Sequence, residues 1–284
     1  MELFRALGRR SQEPLPGNPY NCWKAPDDTE VCAFYRQQEG YLIRFQDLAD
    51  FHVSGDGEEI KAWLAPGGSS DVMDQLYLNQ VLPLAQSLSQ RLVLHGSAVS
   101  VDDYALAFLG PSGRGKSTLA ASFASNQFEF LSDDGLVIDL SEAGAFAQPS
   151  HPSIRLWDDS QSALIPQSTA TAPPIESTPK QRFLAGASLA HCSEPRILKR
   201  VYFLGEAESP CVRFERVGAR EALAGITRNG FFLDSGNKAS LATHFARQTR
   251  LAALPIFFRI DFPRDYSALD AVRAAIIAHA QAES

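Results

Sequence analysis

The sequence has few cysteines, no excess of basic residues and no long apolar run. Its four cysteines form no C-x-x-C pair, so a disulfide framework is not indicated and a cysteine-based zinc site is only weakly supported. The first residues, MELFRALGRRSQEP, offer neither the apolar core of a signal peptide nor a membrane span. We therefore expect reduced thiols, a cytoplasmic location and no membrane partner.

The charge balance argues against nucleic acid as the main partner. The 26 Lys and Arg residues stand against 33 Asp and Glu, giving a formal net charge of −7, which lacks the basic excess that binding to a phosphate backbone exploits. A net negative charge of the whole chain does not exclude a local patch of basic residues on its surface. With 45% apolar residues in 284, the chain can form a substantial core, in one large domain or in two.

The most informative stretch is GPSGRGKS at 110–117, which fits the phosphate-loop pattern G-x-x-x-x-G-K-[ST]. An apolar run at 104–109 predicts a buried strand before it, and helix formers at 116–125 predict a helix after it. In such a loop backbone N–H groups surround phosphates, the lysine reaches the β- and γ-phosphates, and the serine binds Mg²⁺. The residues predicted to bind a nucleotide here are Gly110, Ser112, Gly113, Arg114, Gly115, Lys116, Ser117 and Thr118, with Ser117 also a metal ligand.

An acidic pair, Asp133 and Asp134, follows one helix and one strand later, in FEFLSDDGLVIDL at 128–140. This order brings the end of their strand beside the phosphate loop. One carboxylate can accept a proton from an attacking hydroxyl, and the other can bind Mg²⁺. Asp-Asp-Gly is also good turn chemistry, so a solvated turn is the structural alternative.

The remaining pattern predicts a small β-rich N-terminal region at 1–90 and a catalytic domain at 91–284. In the first region we expect a short helical start, an irregular Pro-rich lead-in to about residue 25, an antiparallel meander at 32–60, and a helix at 71–91 interrupted at Pro83. In the second we expect strands at 92–101, 104–109, 200–205 and 255–261, and two strands within 128–140 on either side of the acidic pair. We also expect helices at 116–125, 218–228, 238–253 and 267–280, and loops at 144–149 and 166–179.

Three motifs together resemble a known family. LHGSAV at 94–99, GPSGRGKSTLA at 110–120 and LSDDGLVI at 131–138 are similar, in order and spacing, to the catalytic core of bacterial HPr kinase/phosphorylase and its kinase relatives. The resemblance implies an α/β fold with a P-loop core of the HPr-kinase/PEP-carboxykinase type. It also implies that His95 lies near the transferred phosphoryl group, that Lys116 and Ser117 bind nucleotide phosphates, and that the acidic pair supplies the general base and the metal ligand. We assign Asp133 as base and Asp134 as metal ligand, an assignment that can be exchanged because neighbouring side chains in a strand alternate in direction.

The resemblance is clear over 92–140 and weaker to Trp157, where PSIRLW offers Arg155 as a phosphate-binding arginine. HPr kinase has a glutamate just before its Ile-Arg pair, where this chain has Ser153, and its Gly- and Arg-rich segment for HPr docking has no counterpart here. The chain is more similar to the divergent HPr-kinase-related proteins of peptide-modifying gene clusters, which include kinases of lasso-peptide precursors. In KQRF, Lys180 and Arg182 are candidates to clamp phosphate or an acidic peptide, although exposed basic residues after a loop are usually solvated.

These features favour an ATP- and Mg²⁺-dependent kinase that phosphorylates a serine of a peptide or protein. A kinase of a small metabolite is one alternative, because it would use the same core with a closed pocket. A nucleotide-dependent binding or regulatory module without phosphoryl transfer is another, although the acidic pair and His95 argue against it. A homo-oligomer is compatible with the sequence, and the acceptor and the base preference stay open.

Overall fold

A computed structural model describes residues 3–25, 27–89, 91–172, 180–205 and 209–282. The strands are β1 (Leu3–Arg9), β2 (Asn21–Lys24), β3 (Glu30–Gln37), β4 (Gly40–Phe45), β5 (Ala49–Ser54), β6 (Glu59–Leu64), β7 (Leu92–Val101), β8 (Tyr104–Leu109), β9 (Glu129–Ser132), β10 (Gly135–Ser141), β11 (Gly144–Ala147), β12 (Ser153–Leu156), β13 (Gln181–Leu184), β14 (Arg196–Leu204), β15 (Arg213–Arg216) and β16 (Phe257–Asp261). The helices are α1 (Ser70–Leu76), α2 (Leu82–Leu88), α3 (Lys116–Ala124), α4 (Asp158–Leu164), α5 (Ala219–Asn229), α6 (Lys238–Ala252) and α7 (Leu269–Gln281). A π-helical turn at Tyr77–Val81 joins α1 to α2, and a 3₁₀ turn at Tyr266–Ala268 precedes α7.

The chain divides into two compact units, a smaller one of Met1–Arg91 with Phe232–Ser235 and a larger one of Leu92–Phe231 with Gly236–Ser284. The sequence pattern did not foresee that Phe232–Ser235 belongs to the smaller unit. Its buried Asp234 accepts two hydrogen bonds from the Arg36 guanidinium, at 2.8 and 2.6 Å. The Tyr20 hydroxyl donates to the Leu233 carbonyl at 2.9 Å. Polar contacts of this kind leave no periodic signal in the sequence.

The smaller unit is built on a six-stranded sheet of order β1-β6-β5-β4-β3-β2. The predicted antiparallel meander is confirmed by β3, β4 and β5, and β6 extends it. The predicted helical start is wrong, because β1 pairs in parallel with the edge of β6. A helix of one or two turns is marginal by itself, so pairing with an existing sheet edge decides its conformation. The interrupted helix is confirmed, since Pro83 is the second residue of α2, directly after the π-helical turn.

The larger unit is mixed α/β and contains an eight-stranded sheet with the main order β11-β10-β7-β8-β14-β16-β15, in which β9 pairs with β7. Its centre is parallel: β14 pairs in parallel with both β8 and β16. The strands β7, β10 and β15 pair in antiparallel fashion with their neighbours. Parallel strands end at the same edge of a sheet, so the residues after Leu109, Leu204 and Asp261 share one edge.

Apolar residues of β8 belong to two hydrophobic cores, one on each face of this sheet. Leu106 and Phe108 pack with residues of α3 and α7 on one face, whereas Ala105, Ala107 and Leu109 pack with residues of α5 and α6 on the other. All six residues of β8 are buried, as expected for a central strand covered by helices on both sides. This double burial fixes β8 firmly and therefore fixes where the following loop begins.

Several short strands were not predicted. The expected loop at 144–149 contains β11, which pairs with β10 and β14. The strands β12 and β13 form a separate two-stranded ribbon, and β15 lies at a sheet edge. Four-residue strands have too little periodicity to predict, and their partners decide them. Of the expected loop at 166–179, residues 166–172 are irregular apart from a bridge between Thr171 and Phe183, and 173–179 lie outside the described residues.

The structure also describes the state of the cysteines, the grouping of possible metal ligands and the character of the helices. Cys22, Cys32, Cys192 and Cys211 are all free thiols. In the part of the chain that the structure describes, no three His, Cys, Asp or Glu side chains group as a metal site. None of the helices within that same part combines the length and apolar character that a membrane crossing needs.

Candidate functional site

The phosphate-loop sequence forms the connection that it predicts, from β8 through residues 110–115 into α3. Gly113 and Gly115 have φ angles of 80° and 88°, in the left-handed region that glycine adopts at little cost. These turns carry the chain back so that α3 begins at Lys116 with its N-terminus towards the loop. The first N–H groups of a helix and the positive end of its dipole favour an anion at such a position.

Lys116 is buried at the start of α3, and its ammonium group is held by the loop itself. Nζ donates to the Gly110 carbonyl at 2.8 Å and to the Pro111 carbonyl at 3.0 Å. Burial lowers the pKa of Lys116, whereas the nearby carboxylates of Asp134 and Asp133 act in the opposite direction. The ammonium group is therefore a desolvated cation in a partly compensated environment, which strengthens its attraction for a phosphate oxygen.

The acidic pair forms the turn between β9 and β10, and its backbone sends the two carboxylates in different directions. Asp134 has a φ of 65°, a left-handed conformation that Asp tolerates better than most residues. The Gly135 N–H closes the turn by donating to the Asp133 carbonyl at 2.9 Å. The sequence left open which carboxylate faces the site, and this local reversal separates their surroundings.

Asp133 is fixed by neighbours from three elements. Its Oδ1 accepts from the buried Ser97 hydroxyl of β7 at 2.6 Å, and its Oδ2 accepts from the Arg155 backbone N–H of β12 at 2.9 Å. The Ser117 side chain also hydrogen-bonds to it. Burial, followed by the negative charge of Asp134, raises the pKa of Asp133 to about 6 despite these hydrogen bonds. Asp133 thus joins Ser117 of the phosphate loop to β7 and β12.

Asp134 lies on the cavity itself and is paired with Arg155. The Arg155 guanidinium contacts Asp134 Oδ2 at 3.3 Å, with both side chains largely buried. Arg155 therefore serves both acids, through its backbone N–H to Asp133 and its side chain to Asp134. A guanidinium held in this way places a fixed positive charge beside the carboxylate. Such a charge can stabilise a bound group that gains negative charge during a reaction.

His95 of β7 contacts the same turn. Its Nδ1 lies 3.2 Å from the Asp134 carbonyl oxygen. A carbonyl oxygen only accepts, so the ring must carry its proton on Nδ1. Burial, and then the charge of Lys116, lower the pKa of His95, which favours the neutral ring. Its Nε2 is consequently a hydrogen-bond acceptor.

These groups line a cavity of about 730 Å³, a size typical of small-ligand sites. Of the predicted site residues, it brings together His95, Ser112, Gly113, Arg114, Gly115, Lys116, Ser117, Thr118, Asp134, Arg155 and Lys180. Gly110 and Asp133 do not line the cavity, but each is hydrogen-bonded to a residue that does: Gly110 to Lys116, and Asp133 to Ser117. Arg182 pairs with Arg155 in the ribbon of β12 and β13 and does not line the cavity either.

The sequence analysis missed site residues at the end of the chain. Phe262, Pro263, Arg264, Asp265 and Tyr266 line the cavity because they follow β16 at the shared strand edge. The Ser97 hydroxyl was also missed, although it lies in the same HGS motif as His95. The two predicted strands at 200–205 and 255–261 could have indicated these residues. If such strands run parallel to the strand before the loop, their carboxyl ends lie at the same sheet edge as the loop.

Arg264 anchors the phosphate loop. Its guanidinium donates to the Arg114 carbonyl at 2.7 Å and to the Gly205 carbonyl at 2.8 Å. It also lies over the Phe262 ring, 4.0 Å from the ring centroid. The side chain thus joins the loop after β8 to the ends of β14 and β16.

Replacing Arg264 by alanine is expected to weaken ATP binding about tenfold, because loss of these charged hydrogen bonds costs about 1–3 kcal/mol and loosens the loop. Titration calorimetry with ATP measures the effect. Arg220→Ala, at an exposed position on α5, is the matched control. An unchanged Kd in Arg264→Ala would show that the loop holds its conformation without the anchor.

The oxygen donors fit Mg²⁺, which takes one or two carboxylates together with phosphate oxygens and water. Ser117 supplies a hydroxyl and the acidic pair two carboxylates, all hard oxygen ligands, and Ser117 is hydrogen-bonded to Asp133. Ser117 and Asp134 line the cavity beside the loop that would hold the phosphates, and Asp133 lies behind Ser117. The residues present are therefore compatible with a nucleotide bound together with Mg²⁺.

Comparison with solved structures gives a match to the HPr(Ser) kinase/phosphatase from Coxiella burnetii. The match is 10% identical, covers 66% of this chain and 95% of that chain, and has a TM-score of 0.35. No protein-family model and no curated protein matches the sequence. At this identity and TM-score the roles of individual residues rest on the geometry of this chain alone.

Proposed function

We propose that the larger unit is an ATP- and Mg²⁺-dependent kinase that transfers the γ-phosphoryl group to a serine hydroxyl of a peptide or protein. The observation that carries this proposal is the cavity in which His95, Lys116, Asp134 and Arg155 converge. A phosphate anchor, a carboxylate and a fixed guanidinium are the parts that phosphoryl transfer requires. Catalysis is then mainly positioning and electrostatic stabilisation.

The phosphate loop and Lys116 hold the triphosphate. On binding, Nζ exchanges the Gly110 and Pro111 carbonyls for phosphate oxygens, while loop N–H groups bind the remaining charge. Mg²⁺, when bound, neutralises charge on the β- and γ-phosphates. Arg155 places a further positive charge beside Asp134, where negative charge spreads over the transferring group.

The contacts favour the exchanged assignment of the acidic pair. Asp134 lines the cavity, so it is placed to accept the proton of the attacking hydroxyl, whereas Asp133 is hydrogen-bonded to Ser117 behind it. In the reaction a bond forms between the acceptor oxygen and the γ-phosphorus, and the bond from that phosphorus to the β–γ bridging oxygen breaks. The hydroxyl proton passes to Asp134 and ADP leaves. Asp133 orients Ser117, and these two side chains form the metal side of the site, where Mg²⁺ would bind.

His95 acts on the acceptor rather than on the phosphate in this scheme. Its neutral ring donates from Nδ1 to the Asp134 carbonyl, so Nε2 is an acceptor that suits a substrate hydroxyl. This hydrogen bond would align the hydroxyl for attack while Asp134 takes its proton.

A peptide serine is the acceptor that we infer from the resemblance to kinases of peptide precursors. Lys180 lines the cavity, with its Nζ 5.6 Å from the centroid of the Trp157 ring, so a basic and an aromatic group lie at the cavity wall. A small-metabolite kinase would use the same phosphoryl-transfer groups, and a binding module would need none of them.

The test is incubation with ATP and Mg²⁺ and a panel of serine, threonine and tyrosine peptides, free serine, glycerol and HPr, followed by phosphosite mapping by mass spectrometry. We expect phosphoserine in a peptide and loss of product in Asp134→Asn. Transfer only to small molecules supports the metabolite kinase. ATP binding without transfer to any acceptor or to water contradicts the enzyme and supports the binding module.

A further inference from the structure

Part of the cavity wall has no role in the phosphoryl-transfer scheme. Besides the phosphate loop and the acidic pair, the lining includes the segment after β16, with Pro263 and Tyr266, and Leu269 at the start of α7. Pro263, Tyr266 and Leu269 are apolar or aromatic, unlike the charged groups near Lys116 and unlike Arg264 and Asp265 of the same segment. A nucleoside triphosphate has a matching division, since its charge lies on the phosphates and its flat apolar surface on the base.

A chain of hydroxyl groups fixes Tyr266 relative to the phosphate-binding residues. The Tyr266 hydroxyl lies 3.0 Å from Ser160 Oγ, which in turn lies 3.0 Å from Thr118 Oγ1. Asp159 also hydrogen-bonds to the Tyr266 hydroxyl. Because a carboxylate accepts, Tyr266 donates to Asp159, Ser160 donates to Tyr266 and Thr118 donates to Ser160. The ring is therefore tied to the first turn of α3, which contains Lys116 and Ser117.

The ring itself remains accessible although its hydroxyl is engaged. Tyr266 is 37% exposed and lines the cavity, whereas Phe262 beside it is buried and covered by Arg264. Tyr266 thus offers an aromatic face at a fixed position. Stacking of a nucleobase on such a face is favourable for every base, because each base has a π-face.

We propose that Tyr266, with Pro263 and Leu269, forms the nucleobase subsite of this cavity and stacks a purine base. This inference rests on the proposed nucleotide substrate. A purine covers more of the phenol ring than a pyrimidine does. Asp158 and Asp265 line the same cavity and supply carboxylate acceptors for amino groups on a purine edge. Tyr266 would therefore contribute to binding of the base and leave binding of the triphosphate unaffected.

The experiment compares ATP with inorganic tripolyphosphate, each with Mg²⁺, by titration calorimetry on wild type and on Tyr266→Ala, Tyr266→Leu and Tyr266→Phe. We expect Tyr266→Ala and Tyr266→Leu to raise the Kd for ATP at least about fivefold and to leave the Kd for tripolyphosphate unchanged. Tyr266→Phe should keep most of the ATP affinity because it keeps the ring. Phe245→Ala, at an exposed aromatic residue on α6, is the matched control.

Wild-type affinity for GTP, CTP and UTP completes the comparison, with both purine nucleotides expected to bind more tightly than the pyrimidines. Equal losses for ATP and tripolyphosphate, no loss for ATP, or wild-type affinity for tripolyphosphate as high as for ATP would overturn the subsite. These readouts are of binding, so a protein that binds ATP as expected but transfers no phosphate contradicts the kinase and leaves the subsite standing. If transfer occurs and Tyr266→Leu binds ATP normally, only the subsite fails.

Discussion

Replacing Lys116 by alanine is expected to lower kcat/KM for phosphoryl transfer by at least about 10²-fold while leaving the protein folded. The lysine is a buried cation at the phosphate loop, where its Nζ donates to the Gly110 and Pro111 carbonyls. Transfer builds charge on the phosphates that this cation offsets, so its removal acts most strongly on the transition state.

The fold should tolerate this substitution because burial lowers the pKa of Lys116, which means that the folded state disfavours its charged form. Alanine removes that cost together with the two hydrogen bonds to the loop. Steady-state rates measure the activity, and the midpoint of thermal unfolding measures stability. Lys238→Ala, at an exposed position at the start of α6, is the matched control. Activity near the wild-type level with normal ATP binding would remove Lys116 from the mechanism.

The sequence could predict the phosphate loop and its flanking strand and helix because their physical requirements are local. The run of apolar residues in β8 must be buried on both faces, and the glycines that follow permit the left-handed turn before α3. His95 and the acidic pair could be placed near the loop from the order of strands alone. Their partners could not, since Ser97 and the Arg155 N–H reach Asp133 from different strands.

The different surroundings of the two carboxylates, on which the proposed division of roles rests, depend on one backbone angle. A strand pattern gives alternating directions for Asp133 and Asp134, but the two residues form a turn in which Asp134 is left-handed. Glycine and asparagine are the usual signals for that conformation, and aspartate is a weaker one. The part of the cavity wall formed by residues 262–266 was also missed. Its position depends on the parallel pairing of β14 with β16, which the sequence does not reveal.

Converting Asp134 to asparagine is expected to reduce transfer about 10²- to 10⁴-fold with little effect on the Mg²⁺ concentration needed for half-maximal rate. Asn keeps the size of the side chain but cannot take the proton of the acceptor hydroxyl. Asp133→Asn is expected instead to raise the Mg²⁺ requirement, because Asp133 holds Ser117 on the metal side. Titration of Mg²⁺ against rate separates the two, and Asp103→Asn, at an exposed position between β7 and β8, is the control.

The pH profile gives an independent measure of the role of Asp133. Its pKa is raised to about 6, chiefly by burial, so it binds a proton as the pH falls through 6 and loses the charge that the metal side needs. Wild type should therefore lose activity below about pH 6, and the residual activity of Asp133→Asn should show no such decrease. Identical Mg²⁺ dependence in both asparagine variants would contradict the division between base and metal side. A low-pH decrease that persists in Asp133→Asn would assign that titration to another group.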